Sequence, residues 1–441
     1  MNSRNTLFIN NSGDLIIGGL KAKDLAAKYG TPLYVYDKKY IEDISTAYVK
    51  AINETYEGYG MVLYASKAFS CKGIYTIVNK LGLGADVVSG GELYTALNGG
   101  ISANKLVMHG NNKLYHELEE AVLVGIRLIV CDSLGELEVL NEICHKHNKI
   151  QDILLRINPG VEAHTHHFVQ TATPDSKFGF SISNGDALIA VKKATETKNL
   201  SLKGLHCHIG SQIFEKKSFE LVVDKMTDFY KLLKENEGIE FDVLNLGGGF
   251  GIYYTDEDVK LSINDYTDYV KTITSKLNEC IKLKNIKKPF LYLEPGRSIV
   301  GEAGVTLYTV GQIKEIKDMK TYIAVDGGMF DNPRFALYGS KYTVISATNG
   351  NARQEKTYTI AGKCCESGDI IAENCKLPKL NRGDLIAVLS TGAYNYSMAS
   401  NYNRNTIPPV VIVEDCKSDY LVKPQSYEDI VRNDVIPEFI K

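Results

Sequence analysis

Between residues 60 and 300 the chain alternates short apolar runs with longer stretches of helical periodicity. Eight such runs stand out: Val62-Leu63-Tyr64-Ala65, Ala85-Asp86-Val87-Val88, Leu106-Val107-Met108, Leu128-Ile129-Val130, Ile153-Leu154-Leu155-Arg156-Ile157, Gly204-Leu205-His206-Cys207-His208, Val243-Leu244-Asn245-Leu246 and Phe290-Leu291-Tyr292-Leu293. Each is short, β-branched or aromatic, and closed by a polar turn, which predicts a buried strand. The intervening stretches carry helix signals: Gly91 to Leu97 runs into a Gly-Gly stop, and Ser133-Leu134 opens an amphipathic run with Leu137 and Leu140 on one side. Strand alternating with helix implies parallel strands joined by right-handed crossovers, and eight such units close a barrel.

After about residue 300 the pattern changes. Val305 to Tyr308, Tyr322 to Val325, Leu385 to Val388 and Val410 to Val413 read as strands with no comparable helices between them. This predicts a second, mainly antiparallel β-domain, joined by the extended N-terminal runs Leu7-Phe8-Ile9 and Leu33 to Tyr36. The expected organisation is an N-terminal segment over 1–36 that joins the β-domain, an α/β (β/α)8 barrel over 37–300, and a C-terminal β-domain over 301–441.

Composition narrows the functional classes. The 441 residues are 44% hydrophobic and 23% charged, as in a globular protein, and 50 Lys and Arg against 53 Asp and Glu leave a net charge of −3 with no basic stripe. Nucleic acid is therefore not an expected partner. No apolar stretch is long enough to cross a bilayer and the start lacks a secretory pattern, so the expected location is the cytoplasm. Nine dispersed cysteines without a CxxC pair suggest neither a disulfide framework nor zinc. His164, His166 and His167 form a loop cluster without a matching second one, and no metal is expected.

In a barrel of this kind the reacting groups sit where strands end. Here those positions hold Lys67, Asp86, His109, Asp132, Arg156, His208, Gly247-Gly248-Gly249, and Glu294 with Arg297. Each has a plainer reading: a solvated lysine, a core histidine, a tight turn, a surface ion pair. Taken together they suit one ligand. Lys67 offers an amine able to form a Schiff base, the glycines and Ser211 offer phosphate donors, and His208 can face an aromatic ring. Glu294 can hold a pyridine nitrogen protonated. The ligand with an aldehyde, a phosphate and a pyridine ring is pyridoxal 5′-phosphate.

The ordered set Tyr64-Ala65-Ser66-Lys67, Gly84-Ala85-Asp86, His206-Cys207-His208-Ile209-Gly210-Ser211, Gly247 to Phe250, Glu294-Pro295-Gly296-Arg297, Cys365-Glu366 and Gly392-Ala393-Tyr394 resembles the diaminopimelate decarboxylase family. The resemblance runs from about residue 30 to 420. It implies a fold type III pyridoxal-phosphate enzyme with an alanine-racemase-like barrel, working as a homodimer with active sites shared across the interface. It implies the conversion of meso-diaminopimelate to L-lysine and carbon dioxide, the last step of lysine biosynthesis.

By motif, Lys67 would anchor the cofactor. Asp86, Arg156, His208, Ser211, Gly247, Gly248, Gly249, Glu294, Pro295, Gly296, Arg297 and Tyr394 would line it. Arg297, Arg334, Tyr338, Glu366 and Tyr394 would bind substrate, and Cys365 would donate a proton. Cys364 is expected to pack, on the reasoning that neighbouring residues on a strand face opposite ways.

The rival readings are an ornithine, arginine or carboxynorspermidine decarboxylase of the same fold, an amino acid racemase, a non-catalytic pyridoxal-phosphate carrier, and a cofactor-free Schiff-base aldolase. Arg334 and Glu366 favour a substrate with a distal carboxylate and ammonium. Glu294 favours a strong electron sink over racemase chemistry.

Overall fold

The computed structural model describes residues 6–161 and 176–441, so the His164, His166 and His167 cluster lies outside the described residues. Two compact units are present. One comprises Glu42–Ile252 and Val259–Ile299; the other comprises the described residues up to Ile41, Tyr253–Asp258 and Val300–Lys441.

The first unit is the predicted barrel. Its strands are β1 (Gly60–Ala65), β2 (Gly84–Val87), β3 (Leu106–Met108), β4 (Leu128–Cys131), β5 (Gln151–Asn158), β6 (Leu200–His206), β7 (Val243–Asn245) and β8 (Phe290–Leu293). All eight pair in parallel, β8 returns to β1, and a two-residue strand, Phe180–Ser181, is added beside β5. Leu63, Val107, Leu128, Val130, Leu154, Val243 and Tyr292 pack together in one buried cluster. The interior is therefore filled with side chains rather than open.

The helices start where the sequence signals them. Ser89 caps Gly90–Asn98 by accepting the Glu92 N–H, and Ser133 caps Leu134–Lys146 by accepting that of Glu136. One glycine is demanded by strand packing: a Cβ on Gly204 would lie 1.8 Å from the Val243 carbonyl oxygen, so only glycine lets β6 and β7 approach there.

In the second unit Leu33–Asp37 pairs with Gly304–Glu315 and with Val410–Glu414, which places that N-terminal run in the main β-sheet. Leu7–Ile9 instead forms a small sheet with Leu15–Ile17 and Leu20–Lys21 and packs its Leu7 into the same core as Val305 and Val411. Six further strands, Thr321–Val325, Val344–Ser346, Lys356–Ala361, Ile370–Leu377, Leu385–Leu389 and Lys417–Val422, complete the unit. Among the described residues, no helix is long and apolar enough to cross a membrane.

Candidate active site

Each barrel strand delivers a polar side chain at or just past its C-terminal end: Lys67, Asp86, His109, Asp132, Arg156, His206, Asn245 and Glu294, in strand order. Register explains part of the convergence. Arg156 on β5 is the partner of His206 on β6, and His206 is the partner of Asn245 on β7, so three polar residues lie side by side. Asn245 shares its strand face with Val243, a member of the barrel cluster, and so points inward.

Glu294 occupies the centre. Its Oε1 lies 2.8 Å from His109 Nε2, at ion-pair distance but outside hydrogen-bond alignment, and accepts from Asn245 Nδ2 at 2.6 Å. Its Oε2 lies 3.3 Å from His206 Nε2. Burial alone would raise the Glu294 carboxyl, but the two imidazoles outweigh it and hold the group well below its usual range. Burial pushes His206 down to about 4, so its ring is neutral near pH 7. A carboxylate oxygen can only accept, so a neutral His206 must carry its hydrogen on Nε2. That leaves Nδ1 buried without a partner among the described residues. With His206 neutral, N–H donation supplies part of the hold on the anion.

The donor atoms of His109, His206 and Glu294 lie within 4.8 Å of one another, a spacing that would admit a cation. They are already committed to each other, with Asn245 as a fourth partner. Two titratable groups farther out, Asp86 and Arg156, lie within electrostatic reach of Glu294.

Lys67 is exposed, in a 3-10 turn over Ser66–Ala68 directly after β1. The turn is tied to β2, because Asp86 Oδ1 accepts the Ser66 N–H at 3.2 Å and the Ser66 hydroxyl donates to the Asp86 carbonyl. Burial and the neighbouring Glu294 raise the Asp86 carboxyl well above its usual range, against the pull of Lys67. The turn is also tied to β8. The Ala65 N–H donates to the Pro295 carbonyl at 3.2 Å, and a Cβ on Gly296 would meet the Ala65 Cβ at 2.6 Å. Pro295 and Gly296 thus bring the Lys67 turn beside the Glu294 strand end.

Asp132 and Arg156 pair at 3.7 Å, and the Arg156 guanidinium stacks 4.1 Å from the Phe178 ring centre. Arg297 donates to the Ser211 hydroxyl from Nε at 3.2 Å and from Nη2 at 2.9 Å, which sets a cation and a hydroxyl side by side. His208 lies just beyond β6 rather than within it, half-buried, and its Nδ1 accepts the Gly248 N–H at 3.3 Å. Burial, then the charges of Lys67 and Arg156, push His208 well below its ordinary value and keep it neutral.

The glycine run has a packing reason of its own. A Cβ on Gly248 would lie 2.1 Å from the Glu294 carbonyl oxygen, and Gly247 sits at φ +66°. Side chains are excluded there by backbone packing, whatever else the N–H groups bind.

In the second unit Arg334, Tyr338 and Tyr394 come together. The Arg334 guanidinium is buried between the two rings, 5.3 Å from the centre of Tyr338 and 5.2 Å from that of Tyr394. Tyr394 has φ +67°, an uncommon conformation for an aromatic residue. The preceding Thr391 and Gly392 donate to the Gly304 and Gly301 carbonyls, and the Tyr36 hydroxyl donates to the Gly392 carbonyl, so the strained turn is held from several sides.

Cys364, Cys365 and Glu366 lie in the loop between Lys356–Ala361 and Ile370–Leu377, which corrects the expectation that the thiol doublet rides on a strand. The contrast between the thiols has a different cause. The Cys364 N–H is drawn inward by buried Asp369 at 2.7 Å, whereas Cys365 and Glu366 are exposed, with the Cys365 N–H donating to Asn403 Oδ1 at 2.8 Å. Burial, then the adjacent Asp369, pushes the Cys364 thiol up to about 12.

Sequence reasoning missed Asn245. Its signal was an amide inside the otherwise apolar run Val243-Leu244-Asn245-Leu246. His109 was noted at its strand end and His206 only within its run and motif, without the approach of both to Glu294.

Comparison with known proteins agrees with this arrangement. Residues 42–301 match the model of the pyridoxal-dependent decarboxylase, pyridoxal binding domain. The chain is 46% identical over 431 residues to the diaminopimelate decarboxylase of Halalkalibacterium halodurans, covering 98% of this chain and 97% of that one. It is 46% identical over 431 residues to that of Bacillus subtilis, covering 97% and 96%. A crystal structure of the enzyme from M. jannaschii in co-complex with L-lysine superposes with a TM-score of 0.91 at 35% identity, over 99% of each chain.

Proposed function

The chain belongs to the diaminopimelate decarboxylases, and from that premise we propose how its residues divide the work. It is a carboxy-lyase that converts meso-diaminopimelate to L-lysine and carbon dioxide. The observation that carries the division is the buried, ionised Glu294, ringed by His109, His206 and Asn245 in the same circle of strand ends as the exposed amine of Lys67.

The cofactor is pyridoxal 5′-phosphate, and the chemistry of the donor set fits it. Lys67 supplies an amine for the aldehyde, and the paired Arg297 and Ser211 supply charge and a hydroxyl for an anion. Neutral His208 supplies a ring, and Glu294 supplies a fixed anion for a ring nitrogen. When bound, pyridoxal phosphate provides an electron sink for the pair left at Cα as carbon dioxide departs.

The remaining work belongs to the protein. Asp86 fixes the Lys67 turn through Ser66. Arg156, Gly247 to Gly249, Pro295 and Gly296 complete the cofactor wall. Arg297 and Arg334 each grip a substrate carboxylate, Glu366 takes the distal ammonium, and Tyr338 and Tyr394, whose rings flank Arg334, also bind substrate. Buried between two rings, Arg334 keeps a defined orientation for a planar, two-point contact. Cys365 holds the proton returned to Cα.

The active form is a homodimer in which Cys365 and Glu366 are supplied to the partner's site; both are exposed, as a shared role requires. The setting is the cytoplasm, where nine unpaired cysteines suit a reducing compartment. The test is turnover on diaminopimelate, ornithine and arginine with the purified holoenzyme. Carbon dioxide with L-lysine from diaminopimelate alone is expected; comparable release from ornithine or arginine would move the specificity to the rival decarboxylases.

A further inference from the structure

Asn245 is wholly buried, and both ends of its side chain are committed. Its Oδ1 accepts the Gly247 N–H at 2.9 Å, and its Nδ2 donates to Glu294 Oε1 at 2.6 Å. The Glu294 N–H in turn donates to the Gly247 carbonyl at 2.7 Å. Three residues from two strand ends therefore close a ring of hydrogen bonds. The partners fix the orientation of the amide: a carboxylate needs a donor and a backbone N–H needs an acceptor, so a flipped side chain would fail at both ends.

The consequence concerns position. Gly247 is held at its N–H by the Asn245 side chain and at its carbonyl by the Glu294 N–H, so the peptides on both sides of Gly247 are tied to the strand end that carries the carboxylate. Aspartate in place of Asn245 would keep the acceptor for Gly247 but set a like charge against Glu294. Alanine would remove both contacts and leave a buried N–H unpaired.

We propose that Asn245 is a positioning residue for the decarboxylation, locking the carboxylate assigned to the cofactor's ring nitrogen to the glycine run assigned to its phosphate. This rests on the cofactor reading given above. It predicts that the two ends of the site separate under mutation. In N245D, kcat falls by at least about 30-fold while the KM for diaminopimelate and the cofactor Kd stay within about threefold of wild type. The pH midpoint of the bound cofactor's visible absorbance moves by about one unit or more. In N245A, cofactor Kd also weakens by about tenfold or more, because the Gly247 contact is lost.

The swap N245D/E294Q restores a donor and an acceptor between the two positions with reversed polarity. Its thermal midpoint recovers toward wild type while turnover stays low, because the anion no longer stands at position 294. If N245D does not fold, N245A and the swap still decide the matter. Wild-type kcat and absorbance midpoint in N245D or N245A, or recovery of turnover in the swap, would overturn the positioning role while leaving the cofactor reading intact. Wild-type protein purified with added pyridoxal phosphate that shows no bound visible absorbance would overturn both.

Discussion

Lys113 follows β3, and its amine is completely buried. It donates to the Gly110 and Val130 carbonyls at 2.8 Å each and pairs with Glu136, whose side chain is 7% exposed. Glu136 also accepts the Asp132 N–H at 3.1 Å, so the pair braces the two loops that carry His109 and Asp132. Removing one member of a buried pair strands the other and typically costs about 3–5 kcal/mol. Lys113→Met should therefore lower the stability of the barrel unit by about 4 kcal/mol at pH 8.

The cost should depend on pH. Burial already raises the Glu136 carboxyl despite Lys113, and without Lys113 it rises further. A carboxyl whose folded pKa exceeds its unfolded one binds more protons when folded, so stability falls as pH rises through that window. K113M should thus be closer to wild type at pH 5 than at pH 8. Lys113→Met with Glu136→Gln keeps an acceptor for the Asp132 N–H and removes the stranded charge, recovering all but about 1–2 kcal/mol. Urea unfolding followed by tyrosine fluorescence suits a chain with 27 Tyr and no Trp. A K113M stability within about 1 kcal/mol of wild type at pH 8, or a double variant no better than the single, would refute the reasoning.

Two further outcomes follow from the site. Arg334→Ala should raise the KM for diaminopimelate by about 10- to 100-fold, the worth of a charge-assisted contact, with cofactor Kd nearly unchanged; steady-state kinetics beside a cofactor titration check it, and equal loss of both would point to misfolding. Mixing Lys67→Ala with Cys365→Ala chains should restore about a quarter of wild-type activity if half the chains form mixed dimers with one intact site; no recovery in verified mixed dimers would remove the shared site.

The barrel was legible because each strand is a local event: a short apolar run, a polar end, then a capped helix. All eight runs are strands, and Ser133 caps the helix its position announces. The β-domain was less legible because its strands pair across long separations, as Leu33–Asp37 does with Val410–Glu414, and no local period marks such partners. The sequence also marked the chemistry at strand ends better than its arrangement. Glu294 stood out as a carboxylate at the end of the eighth run, but its ring of partners depends on the register of β5, β6 and β7 and on where β3 ends. Asn245 therefore looked like one polar residue in an apolar strand. The thiol doublet was misplaced on a strand because the turn around it is set by Asp369 and Asn403, neither of which announces that role locally.

Borohydride reduction of the holoenzyme, followed by peptide mapping, tests most directly that the amine after β1 anchors the cofactor at the barrel mouth. A single pyridoxyl-modified peptide carrying the adduct on Lys67, absent from Lys67→Ala, is the predicted result. An adduct on any other lysine, with Lys67 unmodified and turnover intact in K67A, would contradict it.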